Sequence, residues 1–243
     1  MSVAFDCSSD IAMFRKPYTT TSSMSFAFPP PTAIAGLVGS IVGLDNRASQ
    51  DASNAAYWKA FKGTMVAVAI QRPVRWFRAA VNFWNVKNPQ NSPHIQVKHQ
   101  FLARPKYRIF VKNGIEPRLR EKLEQNSFIY TPFLGVAYAL ADVYYLGYFD
   151  DLPISPSEGI SVNTVLPLED DVSLDIAASG KVLKEVVPFK FGEDRTLIDS
   201  MTVLYSDTGE CRIALKNRGA VDVTRSVSAT RKIEQVVAWF PEW

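Results

Sequence analysis

Cysteine is nearly absent from this chain of 243 residues. Cys7 and Cys211 are too few for a disulfide framework or a structural zinc site, so a reducing, cytoplasmic setting is expected. No apolar run reaches the roughly 18 residues that span a bilayer, and no membrane partner is expected. Met1 to Asp6 carries neither the basic start nor the long apolar stretch of a secretory signal. Histidine is limited to His94 and His99. Neither has a carboxylate or thiol nearby in sequence, so no metal is expected. Nucleophile elbows, P-loops and dinucleotide fingerprints are missing as well, and no cofactor is expected.

The most informative absence is of one sign of charge. From Ala52 to Ile115 there is no Asp or Glu, while eleven basic residues occur: Lys59, Lys62, Arg72, Arg75, Arg78, Lys87, Lys98, Arg104, Lys106, Arg108 and Lys112. The modest net charge of +3 therefore conceals three unequal parts: −1 before Ala52, +11 in this segment and −7 after it. Two readings follow. The segment is a surface for a polyanion, since neutralising phosphate supplies most non-specific nucleic-acid affinity. Alternatively, it is a basic face matched by the acidic C-terminal part of the same chain.

The hydrophobic pattern predicts strands at Val3–Cys7, Thr64–Ile70, Tyr107–Val111 and Val143–Phe149. Helices are predicted at Ala33–Val42, capped by Thr32, at Asp51–Lys62, and at Arg118–Gln125 behind Pro117. Gly36, Gly39 and Gly43 give the first helix a bare stripe, which predicts close packing against its backbone. Around a sheet of these strands the order strand, helix, strand, strand, helix, strand is the split βαβ, ferredoxin-like pattern of an α+β fold. An insertion from about Arg72 to Arg104 is too long for an ordinary connection and predicts a projecting hairpin. The division expected is residues 1–150 for this first domain and 151–243 for a smaller β-rich one, with Asp207–Glu210 turning between Met201–Tyr205 and Cys211–Leu215.

Aromatics interleaved with cations suit single-stranded nucleic acid: bases stack on rings while cations follow the backbone. Arg72, Arg75, Trp76, Arg78, Trp84, Lys87, Lys98, Arg104, Lys106, Tyr107 and Arg108 are the candidates, with Phe77 and Phe83 beside them. Some of the rings must be core, because alternate residues of a strand face opposite sides. Arg15, Lys16, Tyr18 and the hydroxyl run Thr19, Thr20, Thr21 and Ser22 suit phosphate and 2′-hydroxyl contacts. His94 and His99 lie in the same basic insertion. They are read either as phosphate contacts or, alternatively, as the acid and base of a metal-independent RNA cleavage. Glu169-Asp170-Asp171 is placed on a solvated loop, away from the basic segment.

Three stretches taken together carry a family resemblance. Phe14-Arg15-Lys16-Pro17-Tyr18-Thr19-Thr20-Thr21-Ser22 leads into Pro29-Pro30-Pro31-Thr32-Ala33-Ile34-Ala35-Gly36-Leu37-Val38-Gly39. Phe101-Leu102-Ala103-Arg104-Pro105-Lys106-Tyr107-Arg108-Ile109-Phe110-Val111 and Thr131-Pro132-Phe133-Leu134-Gly135 follow. Over Met1 to about Asp150 the chain resembles the CRISPR-associated Cas-five family of type I-B Cascade complexes. The resemblance implies an RNA-recognition-like (RRM-like) fold of the RAMP superfamily, with the basic insertion as a thumb. It implies a non-catalytic subunit that binds the 5′ handle of the guide RNA (crRNA). Its implied neighbours are the backbone and large subunits, with target DNA reached through the assembled complex. Type I-C relatives cleave the precursor RNA themselves with His, Lys and Tyr, which is the alternative kept here.

Overall fold

The computed structural model describes residues 1–19, 22–45, 55–87, 90–91, 93–155, 159–228 and 230–243. Eleven long strands organise the chain: β1 (Ser2–Ser8), β2 (Met65–Ile70), β3 (Trp76–Trp84), β4 (His94–Ala103), β5 (Lys106–Lys112), β6 (Asp142–Pro153), β7 (Leu183–Phe191), β8 (Leu197–Tyr205), β9 (Ile213–Arg218), β10 (Val223–Ser228) and β11 (Ile233–Ala238). Two α-helices, α1 (Pro31–Val42) and α2 (Glu116–Glu124), complete the framework. The central sheet runs β11-β10-β6-β1-β5-β2, and every neighbouring pair in it is antiparallel.

Period-two alternation in β1 shows how the sheet is filled. Val3, Phe5 and Cys7 point to one face, where they join Ile34, Val38 and Ile41 of α1 and Leu119 and Leu123 of α2. Ala4 points to the other, with Phe110, Phe149 and Trp239. Both faces are therefore dry, and each fully buried aliphatic or aromatic side chain contributes roughly 1.5–3 kcal/mol.

The ends of α1 depart from expectation. It begins at Pro31, with Pro30 as its cap residue and no side-chain cap, so Thr32 lies inside the first turn. The Pro30 carbonyl instead accepts the amides of Ala33 at 2.8 Å and Ile34 at 3.0 Å. Pro31 needs no amide partner in the first turn, which makes a side-chain cap dispensable. Gly43 terminates the helix with φ +79°, and a Cβ there would lie 2.8 Å from Ile129. The close packing expected along the whole glycine stripe is confined to that end. A Cβ on Gly36 would meet nothing within 4 Å, and one on Gly39 only ordinary contacts. The helix expected at Asp51–Lys62 is a 3-10 helix over Ala56–Phe61, while residues 51–54 lie outside the described residues.

Asp150, where a domain division was expected, lies inside β6, and residues 150–153 pair with β10. Val187, Phe189, Val203, Tyr205, Phe240 and Trp243 enter the same core as β1 and α1. The C-terminal segment also has a core of its own, around Val162, Leu166, Ile213 and Val223. Asp207–Glu210 does turn the chain, but β8 and β9 on either side join different three-stranded sheets instead of pairing with each other. Among the described residues no helix is long and apolar enough to cross a membrane.

Candidate nucleic-acid interface

Between β2 and β5 the chain leaves the sheet as the hairpin β3–β4. The two strands pair antiparallel from Trp76↔Leu102 to Trp84↔His94. Beyond β4's other edge, Ile11–Ala12 pairs antiparallel with Ala103 and Leu102, and Ser22–Ser23 runs parallel to Lys98 and His99. Strand pairing thus brings the two stretches that looked suited to RNA, the N-terminal loop and the basic insertion, into one surface. Thr20 and Thr21 lie outside the described residues.

The register sorts the hairpin into two faces. One carries Trp76, Arg78, Ala80, Asn82 and Trp84 opposite Leu102, Gln100, Lys98, Gln96 and His94. Its outer part is exposed, with Trp84 61% accessible. The other carries Phe77, Ala79, Val81 and Phe83 opposite Phe101, His99, Val97 and Ile95. There the rings form a ladder: Phe77 stacks on Phe101 at 5.3 Å, Phe101 on His99 at 5.7 Å, and His99 on Phe83 at 5.4 Å. His99 is 7% exposed and its Nδ1 lies 3.0 Å from the Val97 carbonyl oxygen. The stacking consumes its ring faces, so its placement is structural. His94 remains at the exposed end, edge-on to Trp84 at 5.3 Å.

Charge divides the same way. Among the described residues, Arg72, Arg75, Arg78, Lys87, Lys98 and Arg104 of the hairpin region make no ion pair, and all are exposed or half-exposed. Four other cations of the acid-free segment are matched from elsewhere in the chain. Lys59 pairs with Glu193 at 3.0 Å and Lys112 with Asp222 at 2.6 Å. Lys106 and Arg108 share Asp6, at 3.1 and 2.8 Å. Two of these four, Lys59 and Lys112, meet acids of the C-terminal part, as the second reading expects, while Asp6 lies ahead of the segment.

Several predicted contacts are corrected by this geometry. Tyr107 is 1% exposed and donates to the Ala27 carbonyl at 2.9 Å, so it belongs to the core. Arg108 holds Asp6 through Nε and Nη2 at 2.8 and 3.2 Å and is committed there, with Lys106 beside it. Lys16 pairs with Glu185 of β7 and lies over the Phe26 ring at 5.1 Å. The Tyr18 hydroxyl also reaches Glu185, at 3.4 Å, though its ring is exposed. Arg15 and Ser22 remain exposed, while Thr19 turns its hydroxyl back to the Lys16 carbonyl at 2.8 Å. Sequence reading missed Asn82, Gln96 and Gln100, polar side chains on the tryptophan face. Only the cross-strand register, which needs the turn position, exposes them.

At the root of the hairpin Arg72, Arg75 and Arg104 line a pocket of about 340 Å³ with Pro73 and Ala103. Three guanidinium-bearing residues around a concavity can hold a phosphate by bidentate hydrogen bonds.

No protein-family model matches the chain, and no curated protein matches it in sequence. Solved structures share its fold, among them chains of CRISPR-associated proteins and complexes. A chain of a CRISPR RNA-guided surveillance complex superposes with a TM-score of 0.56 at 10% identity, covering 88% of this chain and 91% of the other. A CRISPR protein from Archaeoglobus fulgidus gives 0.54 at 14% identity, over 98% and 99%. A chain of a type III-B Cmr-beta complex bound to cognate target RNA and AMPPnP gives 0.53 at 15% identity, over 87% and 86%.

Proposed function

We propose that this protein is a non-catalytic subunit of a CRISPR effector complex of the Cascade type that binds the 5′ handle of the guide RNA. The observation that carries the reading is the hairpin's exposed face, where Arg78 and Lys98, without an ion pair among the described residues, stand between the accessible Trp76 and Trp84. Cations there neutralise phosphate, and Trp76 and Trp84 offer rings for unpaired bases. The central order β6-β1-β5-β2 with α1 and α2 on one face agrees with a ferredoxin-like, RRM-like domain. On it the hairpin serves as the thumb. The backbone and large subunits are the protein neighbours, target DNA is met through the assembled complex, and the setting is cytoplasmic.

Replacing Arg75 and Arg78 together by alanine tests this. Handle RNA is expected to bind more weakly and with a shallower salt dependence, by about 1.4 in the logarithmic slope for two lost single-strand contacts. An unchanged affinity and slope removes the hairpin as the RNA surface.

The ring ladder also supports the non-catalytic reading. A general acid or base must reach the proton it transfers, and His99 is enclosed by Phe83 and Phe101. Purified protein is expected to leave repeat RNA intact in the presence of a chelator. Cleavage that disappears in His94→Ala or His99→Ala would replace this reading by that of a metal-independent endoribonuclease.

A further inference from the structure

Two short bridges join the hairpin to the sheet, and each is held from outside. On the outgoing side the Gln71 amide donates to the Lys106 carbonyl at 2.8 Å, just past the last β2–β5 pair, Ile70↔Tyr107. The hairpin's own bonding starts where the Ala103 amide donates to the Arg75 carbonyl at 2.9 Å. Arg72, Pro73 and Val74 bridge the two. On the returning side Arg104 and Pro105 lead from β4 to β5. Arg104 adopts φ +45°, a left-handed conformation that a non-glycine residue holds only under constraint. Its amide donates to the Asp10 carbonyl at 2.7 Å, and the Pro105 carbonyl accepts from the Ser9 amide at 3.4 Å. The returning bridge is thus tied to the N-terminal segment, whose Ile11–Ala12 continues the hold by pairing with Ala103 and Leu102.

The outgoing bridge is tied to the far end of the chain. The Val74 amide donates to the Asp207 carbonyl at 2.8 Å, in the turn that follows β8. Two residues on, Gly209 comes so close that a Cβ would fall 2.6 Å from the Arg72 carbonyl carbon and the Pro73 nitrogen, and 2.7 Å from Pro73 Cδ. These are backbone atoms and a proline ring, which cannot swing aside as a long side chain does. Gly209 also has φ +86°, which glycine adopts at no steric cost. The turn itself is fixed on both sides. Before it, the buried Tyr205 packs edge to face on Phe28 at 5.1 Å. After it, the buried Cys211 accepts at its carbonyl from Asn163 Nδ2 at 3.2 Å. Within it, the Ser206 hydroxyl lies 2.9 Å from that of Thr208, which donates to the Glu210 carbonyl at 3.2 Å. Lys181 holds the Asp207 carboxylate at 2.6 Å.

We infer that the Asp207–Gly209 turn is a brace that sets the angle at which the hairpin leaves the sheet, and that Gly209 is a positioning residue for RNA binding. It touches no RNA. It keeps Arg78 and Lys98 of the hairpin in one fixed relation to Arg72 and Arg104 of the bridges, so that a single strand meets all four. Cations held in place before the ligand arrives spare the cost of ordering them on binding. This inference rests on the RNA-binding reading above and gives the C-terminal segment a part in it.

The test compares the full chain with its Gly209→Ala variant in two measurements. Amide hydrogen exchange, read by mass spectrometry, is expected to quicken several-fold in the outgoing bridge and in β3 and β4, while β1 and β6 keep their rates. Anisotropy with a fluorescently labelled oligouridine is expected to show roughly tenfold weaker binding, as when the competent angle is held only about a tenth of the time. Because alanine at this position can prevent folding, Thr208→Val is the second variant. It removes the turn's internal hydroxyl bonds at an exposed, uncharged position and should move both readings the same way by a smaller factor. Exchange that stays unchanged in the hairpin, or rises equally throughout the chain, overturns the inference. So does a loosened hairpin that binds the oligouridine as tightly as before. Failure of the RNA-binding reading looks different: the unaltered protein binds no oligouridine, or Trp84→Ala, at the far end of the hairpin, leaves its affinity unchanged.

Discussion

The hairpin β3–β4 and the strand β5 that follows it are written in the same alphabet and used in opposite ways. Lys106-Tyr107-Arg108-Ile109-Phe110 alternates cations with large apolar groups much as Arg75-Trp76-Phe77-Arg78 does. In β5, flanked by β1 and β2, the sheet is covered on both faces, so its rings are core and its cations need a counter-charge. Asp6, on the neighbouring strand and in register with Arg108, supplies one. The hairpin extends past the sheet, has no acid in its own segment and meets none from outside among the described residues. A cationic, aromatic pattern is therefore available to a partner only where the fold leaves it uncovered.

The sharpest way to break this contrast is to remove the counter-charge. Asp6→Ala leaves Arg108 uncompensated in a part-buried site and is expected to cost about 3–5 kcal/mol of folding stability in a denaturant titration. Arg78→Ala, by comparison, should stay within about 0.5 kcal/mol. Equal losses would mean the hairpin cations are structural too.

Stacking comes next in size. Trp84→Ala is expected to weaken single-stranded RNA binding by about 1–3 kcal/mol with no change in melting temperature. The reverse pattern, a lower melting temperature with intact affinity, would place Trp84 with Tyr107 as a packing residue.

Tyrosine ionisation reads the sheet and its flanking core, since the hairpin contains no tyrosine. Burial pushes Tyr205 from 10 up to about 12 and raises Tyr107 well above its ordinary value. Tyr145 is pushed up to about 12, first by burial and then by the nearby Glu124 carboxylate. These phenols are neutral in both states below pH 10. Between pH 10 and 12 the unfolded chain ionises first, so stability is expected to fall across that window, followed by denaturant midpoint against pH. A midpoint that stays flat there would contradict the burial of these rings.

The smallest expected effect separates two lysines. Lys98→Ala should make the salt dependence of RNA binding shallower by about 0.7, whereas Lys16→Ala, already paired with Glu185, should leave the slope unchanged. Identical slopes for both variants would erase the distinction between paired and unpaired cations.

Much of the framework was legible in the chain. Thr64–Ile70 announces a strand by continuous apolar character and Val3–Cys7 reads as a short one, and they lie in β2 and β1 within a residue or so at each end. Pro117 marks the first turn of α2. The bare stripe of α1 misled because a glycine shows what a backbone permits, not what approaches it. Gly36 faces open space and Gly43 alone meets a close neighbour of those three. The hairpin at Asp207–Glu210 misled for a related reason: a turn sequence bends the chain without choosing which strands then pair. Of the candidate site, Arg75, Arg78, Trp84 and Lys98 could be named from their order. The exclusion of Tyr107, Arg108 and Lys16 could not, since Ala27, Asp6 and Glu185 lie far from them in sequence.

What the sequence by itself determined is local: strand and helix positions, and the concentration of positive charge between Ala52 and Ile115. Those properties follow from neighbouring residues, through side-chain period, proline geometry and simple charge counting. Tertiary structure alone decided which cations stay unpaired among the described residues, which rings remain accessible, and that Arg72, Arg75 and Arg104 line one pocket. Each of these depends on residues separated by tens to hundreds of positions. Charge pairing and burial act over a few ångströms of space, and only the folded chain fixes which residues come that close.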